Sequence, residues 1–174
     1  IQPAVSHMSL GIGRILFDKL NLELEDDSTG QTYSVKDGML KVYDLQVGKM
    51  DTILPGTFKL FDFKAGELSM VSSDKMYNYV EKGISYPANV NTLFIDSLFV
   101  RPNYTNYDFT SRYAFQTNRI EVALTDIYVY DFDSEDYLRS MSLKSPYIEI
   151  GQMDMKVFRD KRKEFHHLNK PAFQ

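Results

Sequence analysis

The feature of this sequence that most constrains its fold is a change of phase in the alternation of apolar and polar residues, which occurs twice within residues 119–162. In the first copy, apolar residues occupy even positions over 120–124 and odd positions over 127–129. The second copy makes the same change between 148–150 and 153–157. Strict alternation is typical of a strand with one buried face. It changes phase only where the strand takes an extra residue, bends or crosses to another sheet.

Six segments share this form of alternating strand, short polar break and alternating strand in the opposite phase. They are 14–24, 40–47, 61–70, 93–100, 120–129 and 148–157. Their unequal spacing argues against a strict solenoid repeat. We therefore predict a mainly β fold, with a strongly twisted or curled antiparallel sheet whose repeated β-bulges bend each strand. The alternative is a plain antiparallel meander in which the bulges are accidental.

Two or three short helices are expected between the strands. Segment 73–83 begins with Ser-Asp, a good helix cap, and ends at Gly83, a good helix terminator. Segment 104–116 has aromatic residues at a spacing that is ambiguous between helix and loop. Segment 133–140 has a capping residue and an acidic first turn. We expect these pieces to close an end of the sheet or to cover an edge strand.

The length of 174 residues suits one domain. We predict a leading segment over 1–13, one β-rich domain over 14–158 and a basic tail or linker over 159–174. A division of the domain into halves 14–86 and 90–158 stays open. Because the chain begins with Ile and both ends look cut, we interpret it as a piece of a longer chain.

Composition narrows the classes of function. The formal net charge of −4 makes the chain a poor candidate for binding nucleic acid, which needs a basic field. The absence of cysteine removes thiol catalysis, thiolate metal sites and disulfides. No apolar run approaches the ~18 residues of a membrane-spanning helix, and no signal peptide is visible.

Enzymatic chemistry has few candidate residues. The histidines, His7, His166 and His167, all lie near the chain ends, away from a rigid scaffold that would hold a catalytic base. Acidic residues cluster over 126–136 and include an Asp-x-Asp spacing, a weak signal for Ca²⁺. Strand-end turns and a helix N-terminus already explain that cluster. We predict a protein that is not an enzyme, with no catalytic residue, metal site or cofactor.

Three short sequences resemble those of a known family. Residues 116–120 read Gln-Thr-Asn-Arg-Ile before a strand, 158–162 read Phe-Arg-Asp-Lys-Arg at the end of a later strand, and 93–100 form a short strand unit. These sequences resemble the AsmA-like envelope proteins of Bacteroidetes, within the wider class of repeating β-groove proteins of the AsmA and TamB type. The resemblance covers about residues 90–163 and includes no enzyme motif.

The resemblance implies a curled sheet whose apolar concave face guides lipids between membranes or assists outer-membrane assembly. We therefore expect a non-enzymatic segment of a periplasmic or cell-envelope protein of a Gram-negative bacterium, with any membrane anchor outside this fragment. Lipids or acyl chains, and envelope proteins, are the expected partners. The candidate groove-lining residues, equally suited to an ordinary core, are Val122, Leu124, Ile148 and Ile150.

Two further sets of surface residues belong to alternative interpretations. The basic residues Arg159, Lys161 and Arg162 suit contact with anionic headgroups or an acidic partner, although a solubilising linker explains them as well. The alternative function is an extracytoplasmic β-sandwich module that binds glycan or protein through exposed tyrosines. Its candidate residues are Tyr104, Tyr107 and Tyr113.

Overall fold

The fold of this protein is one antiparallel sheet, seen in a computed structural model that describes residues 10–47, 56–57, 60–87, 89–134, 136–137 and 142–165. The strands are β1 (Leu10–Asp26), β2 (Gln31–Val47), β3 (Gly56–Thr57), β4 (Leu60–Val71), β5 (Tyr77–Tyr86), β6 (Leu93–Pro102), β7 (Asn118–Tyr130) and β8 (Tyr147–Arg159). The helix α1 spans Asn106–Ser111. Seven strands follow the order β1-β2-β4-β5-β6-β7-β8, and β3 pairs with β2. The prediction of a mainly β, antiparallel fold is confirmed.

A row of kinked residues crosses the sheet at one level, and we call this row the crease. The strand registers place its six members side by side from β2 to β8: Asp37, Gly66, Gly83, Asp96, Asp126 and Gly151. Asp37, Gly83 and Asp126 have left-handed backbones, with φ of 51°, 62° and 54°. In β1, Lys19 has a φ of 57° beside the place where the β1–β2 register shifts twice. In β1, β4, β6, β7 and β8 these are the positions at which the predicted alternation changes phase, whereas the change predicted within 40–47 lies at Asp44, which has a φ of 52°.

The cross-strand register is unchanged on either side of the crease from β2 to β8. In β7 and β8, for example, Leu124 pairs with Met153 and Ile127 pairs with Ile150. Each strand therefore changes phase at the same level as its neighbour, so the pairing is preserved. Among the described strand pairs along the sheet path, only β1–β2 has the register shift of an ordinary bulge.

The crease keeps the apolar residues of both strand halves on one side of the sheet, which we call the apolar face. Directly opposite residues of antiparallel strands lie on the same face. Ile95 is opposite Ile127 and, beyond the crease, Leu98 is opposite Leu124. All four belong to one packed cluster. Its buried members are Ala65, Ile84, Tyr86, Ile95, Ile127, Val129 and Phe132, and its partly buried members are Val35, Phe61, Phe63, Leu68, Leu93, Leu98 and Leu124.

The other side of the sheet, which we call the polar side, carries charged residues near the crease, although it also carries apolar residues such as Val80, which lies opposite Ser69 and is 7% exposed. Glu67 lies directly between Lys36 and Lys82 on neighbouring strands, with carboxylate-to-ammonium distances of 2.8 and 3.8 Å. The hydroxyls of Ser34 and Ser69 are 2.8 Å apart on the same side. Exposed ion pairs of this kind contribute little stability. The exposed lysines show that this part of the polar side is in contact with water.

A polar turn joins β1 to β2 in a tight hairpin. Gly30 has a φ of 68°, and Asp26 pairs with Gln31 at the start of β2. The Asp26 carboxylate accepts hydrogen bonds from the Ser28 hydroxyl at 2.6 Å and from the Thr29 hydroxyl at 2.8 Å. These bonds lower the pKa of Asp26 from 3.8 to about 2. The charged side chain of Asp26, at the start of the turn, therefore stabilises it.

The helix predicted over 73–83 is wrong. Residues 77–86 are β5, and Gly83 lies in the crease instead of ending a helix. The Ser-Asp sequence makes a tight turn, in which Asp74 Oδ1 accepts a hydrogen bond from the Met76 amide at 2.9 Å. Aromatic residues such as Tyr77 and Tyr79 favour a strand here because they pack on the pleated surface.

Other predicted boundaries shift by a few residues. The strand β1 begins at Leu10, inside the predicted leading segment over 1–13, and its residues Leu10 and Ile12 pair with β2. The ambiguous aromatic segment contains α1. In the predicted helix over 133–140, the Tyr137 amide donates to the Asp133 carbonyl at 3.0 Å, as in a helical turn; the rest of that helix lies outside the described residues. The suggested halves 14–86 and 90–158 belong to one sheet, because β5 of the first half pairs with β6 of the second.

Candidate functional site

The apolar face continues without cover onto the edge strand β8. Five of its apolar side chains are 44–56% exposed: Ile148, Ile150, Met153, Met155 and Val157. Each lies directly opposite an apolar residue of β7. Large exposed apolar patches of this kind mark binding surfaces for proteins, lipids or other ligands.

The opposite edge strand, β1, has the same character. Phe17, Leu22 and Leu24 are 47%, 53% and 62% exposed. Phe17 pairs with Leu40 and Leu22 pairs with Val35, both half-buried residues of β2. The apolar face therefore runs from one edge of the described sheet to the other, with its buried part in the centre.

Aromatic residues from the connections cover the two ends of this face. Phe109 of α1, which is 1% exposed, packs against Tyr77 with ring centroids 5.3 Å apart. At the other end of β5, Phe132 packs against Tyr86 with ring centroids 5.4 Å apart. The described residues contain no second sheet that would cover the middle. The apolar face is thus bounded by an aromatic ring at each end of β5 and is exposed on its two edge strands.

The predicted lining residues lie together on the apolar face. Val122 and Leu124 of β7 are half-buried, whereas Ile148 and Ile150 of β8 are 45% and 44% exposed. Ile150 pairs with Ile127, a core residue, so the exposed and buried parts of the face are continuous. The sequence pattern placed these four residues on one surface. Their contact with lipid stays a prediction.

The three predicted surface tyrosines do not share one exposed platform. Tyr107 is 58% exposed, and its ring centroid lies 5.3 Å from that of Phe158. Tyr104 is half-buried, and Tyr113 packs on Phe109 with ring centroids 5.6 Å apart. Burial raises the pKa of the Tyr113 hydroxyl. A β-sandwich also needs two facing sheets, whereas the described residues form one.

The predicted basic surface residues are partly engaged within the chain. Arg162 donates to both carboxylate oxygens of Asp160, at 2.8 and 2.7 Å, and this pairing lowers the pKa of Asp160 to about 2. Arg159 is the last residue of β8, and its Nε donates to Asn118 Oδ1 at 2.7 Å. Lys161 is exposed. The arginines therefore stabilise the end of β8 and the turn that follows.

The described part of the basic tail, 160–165, packs onto the connection between α1 and β7. The Gln116 amide donates to the Glu164 carbonyl at 3.0 Å, and the Gln116 side chain donates to the Lys163 carbonyl at 2.8 Å. The Lys163 ammonium donates to the Tyr113 carbonyl. This stretch is therefore anchored to the domain and does not begin as a solvated linker.

Three acidic residues within 126–136 have structural roles in the backbone. Asp126 and Asp131 occupy left-handed positions, with φ of 54° and 49°. Asp133 Oδ1 accepts a hydrogen bond from the Asp136 amide at 2.9 Å. Within the described part of the chain, no three His, Cys, Asp or Glu side chains are grouped to hold a metal ion, and no helix is long and apolar enough to cross a membrane. The three histidines lie outside it.

One residue of this site, Glu81, is missing from the sequence-based candidates. It lies in β5 directly opposite Leu68 and Leu98, two residues of the apolar face. It is half-buried, and burial raises the pKa of its carboxyl. The expectation of a helix over 73–83 hid it, because only a strand places residue 81 on the same face as Tyr79.

Comparison with models of protein families, with curated proteins and with solved structures finds no match to this chain. The function must therefore be inferred from the apolar face and its surroundings.

Proposed function

We propose that this chain is a non-enzymatic segment of an AsmA-like envelope protein that shields the acyl chains of lipids on its apolar face. The proposal depends above all on one observation, the apolar face that runs from β1 to β8 and stays exposed on both edge strands. A face that existed only to form a core would be covered at its edges, because exposed apolar surface is unfavourable in water.

Binding an acyl chain here would use the burial that stabilises any protein core. Each methylene removed from water contributes about 0.8 kcal/mol, so six buried methylenes contribute roughly 5 kcal/mol before the cost of ordering the lipid. The exposed side chains of Met153 and Met155 suit such a ligand because methionine is flexible and polarisable. The polar side of the sheet, with its Lys36–Glu67–Lys82 row, would stay in water.

The cellular setting of the proposal comes from the resemblance at residues 116–120 and 158–162. The resemblance implies the periplasm of a Gram-negative bacterium, a role in lipid handling or outer-membrane biogenesis, and envelope proteins as further partners. The net charge of −4 supports a role without nucleic acid.

Native mass spectrometry of the purified chain tests this function, combined with organic extraction of the molecules that co-purify. We expect a phospholipid or fatty acid in near-stoichiometric amount, because an apolar face exposed on both edge strands would retain an amphiphile from the host cell. Replacing Met153 with Glu should reduce the bound fraction, whereas replacing its polar-face neighbour Gln152 with Glu should not. An apo mass with no extracted lipid, persisting after incubation with phospholipid, would contradict the proposal.

A further inference from the structure

We propose that Glu81 gives the apolar face a preference for amphiphiles whose polar end carries a protonated amine. This inference rests on the proposed lipid-binding function and adds the chemical class of the ligand. The shared chemistry is a primary ammonium group beside an alkyl chain, which occurs both in single-chain amines and in aminophospholipids.

The position of Glu81 sets it apart from the other carboxylates of the sheet. It lies in the middle strand of the seven, two residues before the crease. Its direct neighbours across the strands are Leu68 and Leu98, and the nearest residues of β5 on the same face are Tyr79 and Ile84. The carboxyl therefore lies among aliphatic and aromatic residues near the centre of the apolar face.

No described residue forms a hydrogen bond or ion pair with the Glu81 side chain, and burial is the cause that raises the pKa of its carboxyl. Glu67, on the polar side of the neighbouring strand, differs in both respects. Lys36 and Lys82 approach its carboxylate at 2.8 and 3.8 Å, and these contacts lower the pKa of Glu67. A half-buried carboxyl without a partner is unfavourable, so a ligand that supplies a cation would stabilise it.

An ammonium group fits this position better than the other common lipid ends. It carries three donors and the opposite charge, and charge-assisted hydrogen bonds are stronger than neutral ones. A fatty-acid carboxylate would place a like charge beside Glu81 in a poorly hydrated site. The alkyl chains of an amine and of a fatty acid would contact the same apolar side chains of the face. The head group therefore decides which of the two binds more tightly.

The test is a displacement titration at neutral pH, in which dodecylamine, laurate and dodecanol compete with a fluorescent apolar probe. The wild-type chain is expected to bind dodecylamine at least about tenfold more tightly than laurate, which corresponds to about 1.4 kcal/mol. A comparison of short-chain phosphatidylethanolamine with phosphatidylglycerol then shows whether the ammonium group can belong to a phospholipid or only to a single-chain amine. Preference for the ethanolamine lipid extends the site to aminophospholipids, and equal affinity restricts it to single-chain amines.

The matched variants are E81Q and E67Q. E81Q is expected to reduce the preference for dodecylamine over laurate to within about twofold, whereas E67Q, on the polar side, should keep it. E81L serves as a second variant, and circular dichroism checks that each variant is folded. Equal binding of amine and acid by the wild type, or an unchanged preference in E81Q, overturns this inference alone. Failure of every amphiphile to displace the probe overturns the proposed function as well.

Discussion

Replacing Gly83 with alanine is expected to lower the free energy of unfolding by about 3 kcal/mol or more. Gly83 has a φ of 62°, and a left-handed backbone costs an L-residue about 1–2 kcal/mol. A Cβ at this position would lie 2.6 Å from the Cβ of Asp96, which forces β5 and β6 apart. Overpacking of this kind costs about 1–3 kcal/mol. Urea denaturation of the wild type and the variant measures the difference.

Three other glycines allow the cost of the left-handed backbone to be measured separately from the cost of the steric clash. Gly30 has a φ of 68° but no atom within 4 Å of an added Cβ, so G30A measures the backbone cost alone. A Cβ on Gly151 would lie 2.8 Å from the Cβ of Asp126 without a left-handed φ, so G151A measures the clash alone. Gly13 has neither problem and should tolerate alanine. If G83A were as stable as G13A, the described geometry of the crease would be wrong.

Replacing Phe109 with alanine is expected to cost about 3–5 kcal/mol, the usual range for a buried phenylalanine. Phe109 is 1% exposed and packs between Tyr77 and Tyr113, with ring centroids 5.3 and 5.6 Å away. Because α1 contacts β7 and β8, loss of this anchor should also release the end of the sheet. Thermal and urea denaturation provide the measurement.

The conservative variant F109L should lose much less stability, because it refills most of the cavity. Y107A, in the same helix, is a second control, since Tyr107 is 58% exposed. A loss in Y107A equal to that in F109A would mean that α1 is held by its outer surface, contrary to the packing described above.

The phase changes in the sequence locate the crease in most strands, but they do not show that it is one row. Gly66, Asp126 and Gly151 lie where the alternation changes. Whether such positions align depends on the registers between strands, which turns and connections set over long distances. Three neighbouring pairs in the crease join an aspartate to a glycine, and two of them show the reason: added Cβ atoms at Gly66 and Gly151 would lie 3.1 and 2.8 Å from those of Asp37 and Asp126. The pair between β6 and β7, Asp96 and Asp126, is an exception with two Cβ atoms.

The expected helix over 73–83 shows where local signals are insufficient. A left-handed glycine ends helices and also fits the crease, so Gly83 suits both structures. Glu81 then interrupts the apolar alternation on the face that would have identified a strand. Neighbouring strands β4 and β6 decide between the two, and a local pattern does not contain that information.

In the candidate site, too, some residues could be assigned from the local sequence pattern and others could not. The residues of β7 and β8 could be assigned to one face from sequence because their alternation is long and regular. The tyrosines and the basic tail could not be assigned, since their exposure depends on contacts between distant segments, such as Tyr107 with Phe158 and Gln116 with Glu164.

The most direct test of the central claim is site-specific photo-crosslinking to phospholipid across the crease of β8. A benzophenone amino acid replaces Ile150, Met153, Glu149 or Gln152, one at a time, and lipid adducts are measured by mass spectrometry. The predicted result is crosslinking from positions 150 and 153 and not from 149 and 152, because the crease brings an even and an odd position onto one lipid-binding face. Crosslinking from 149 and 153 together, as in a strand without a phase change, or from none of the four, would contradict it.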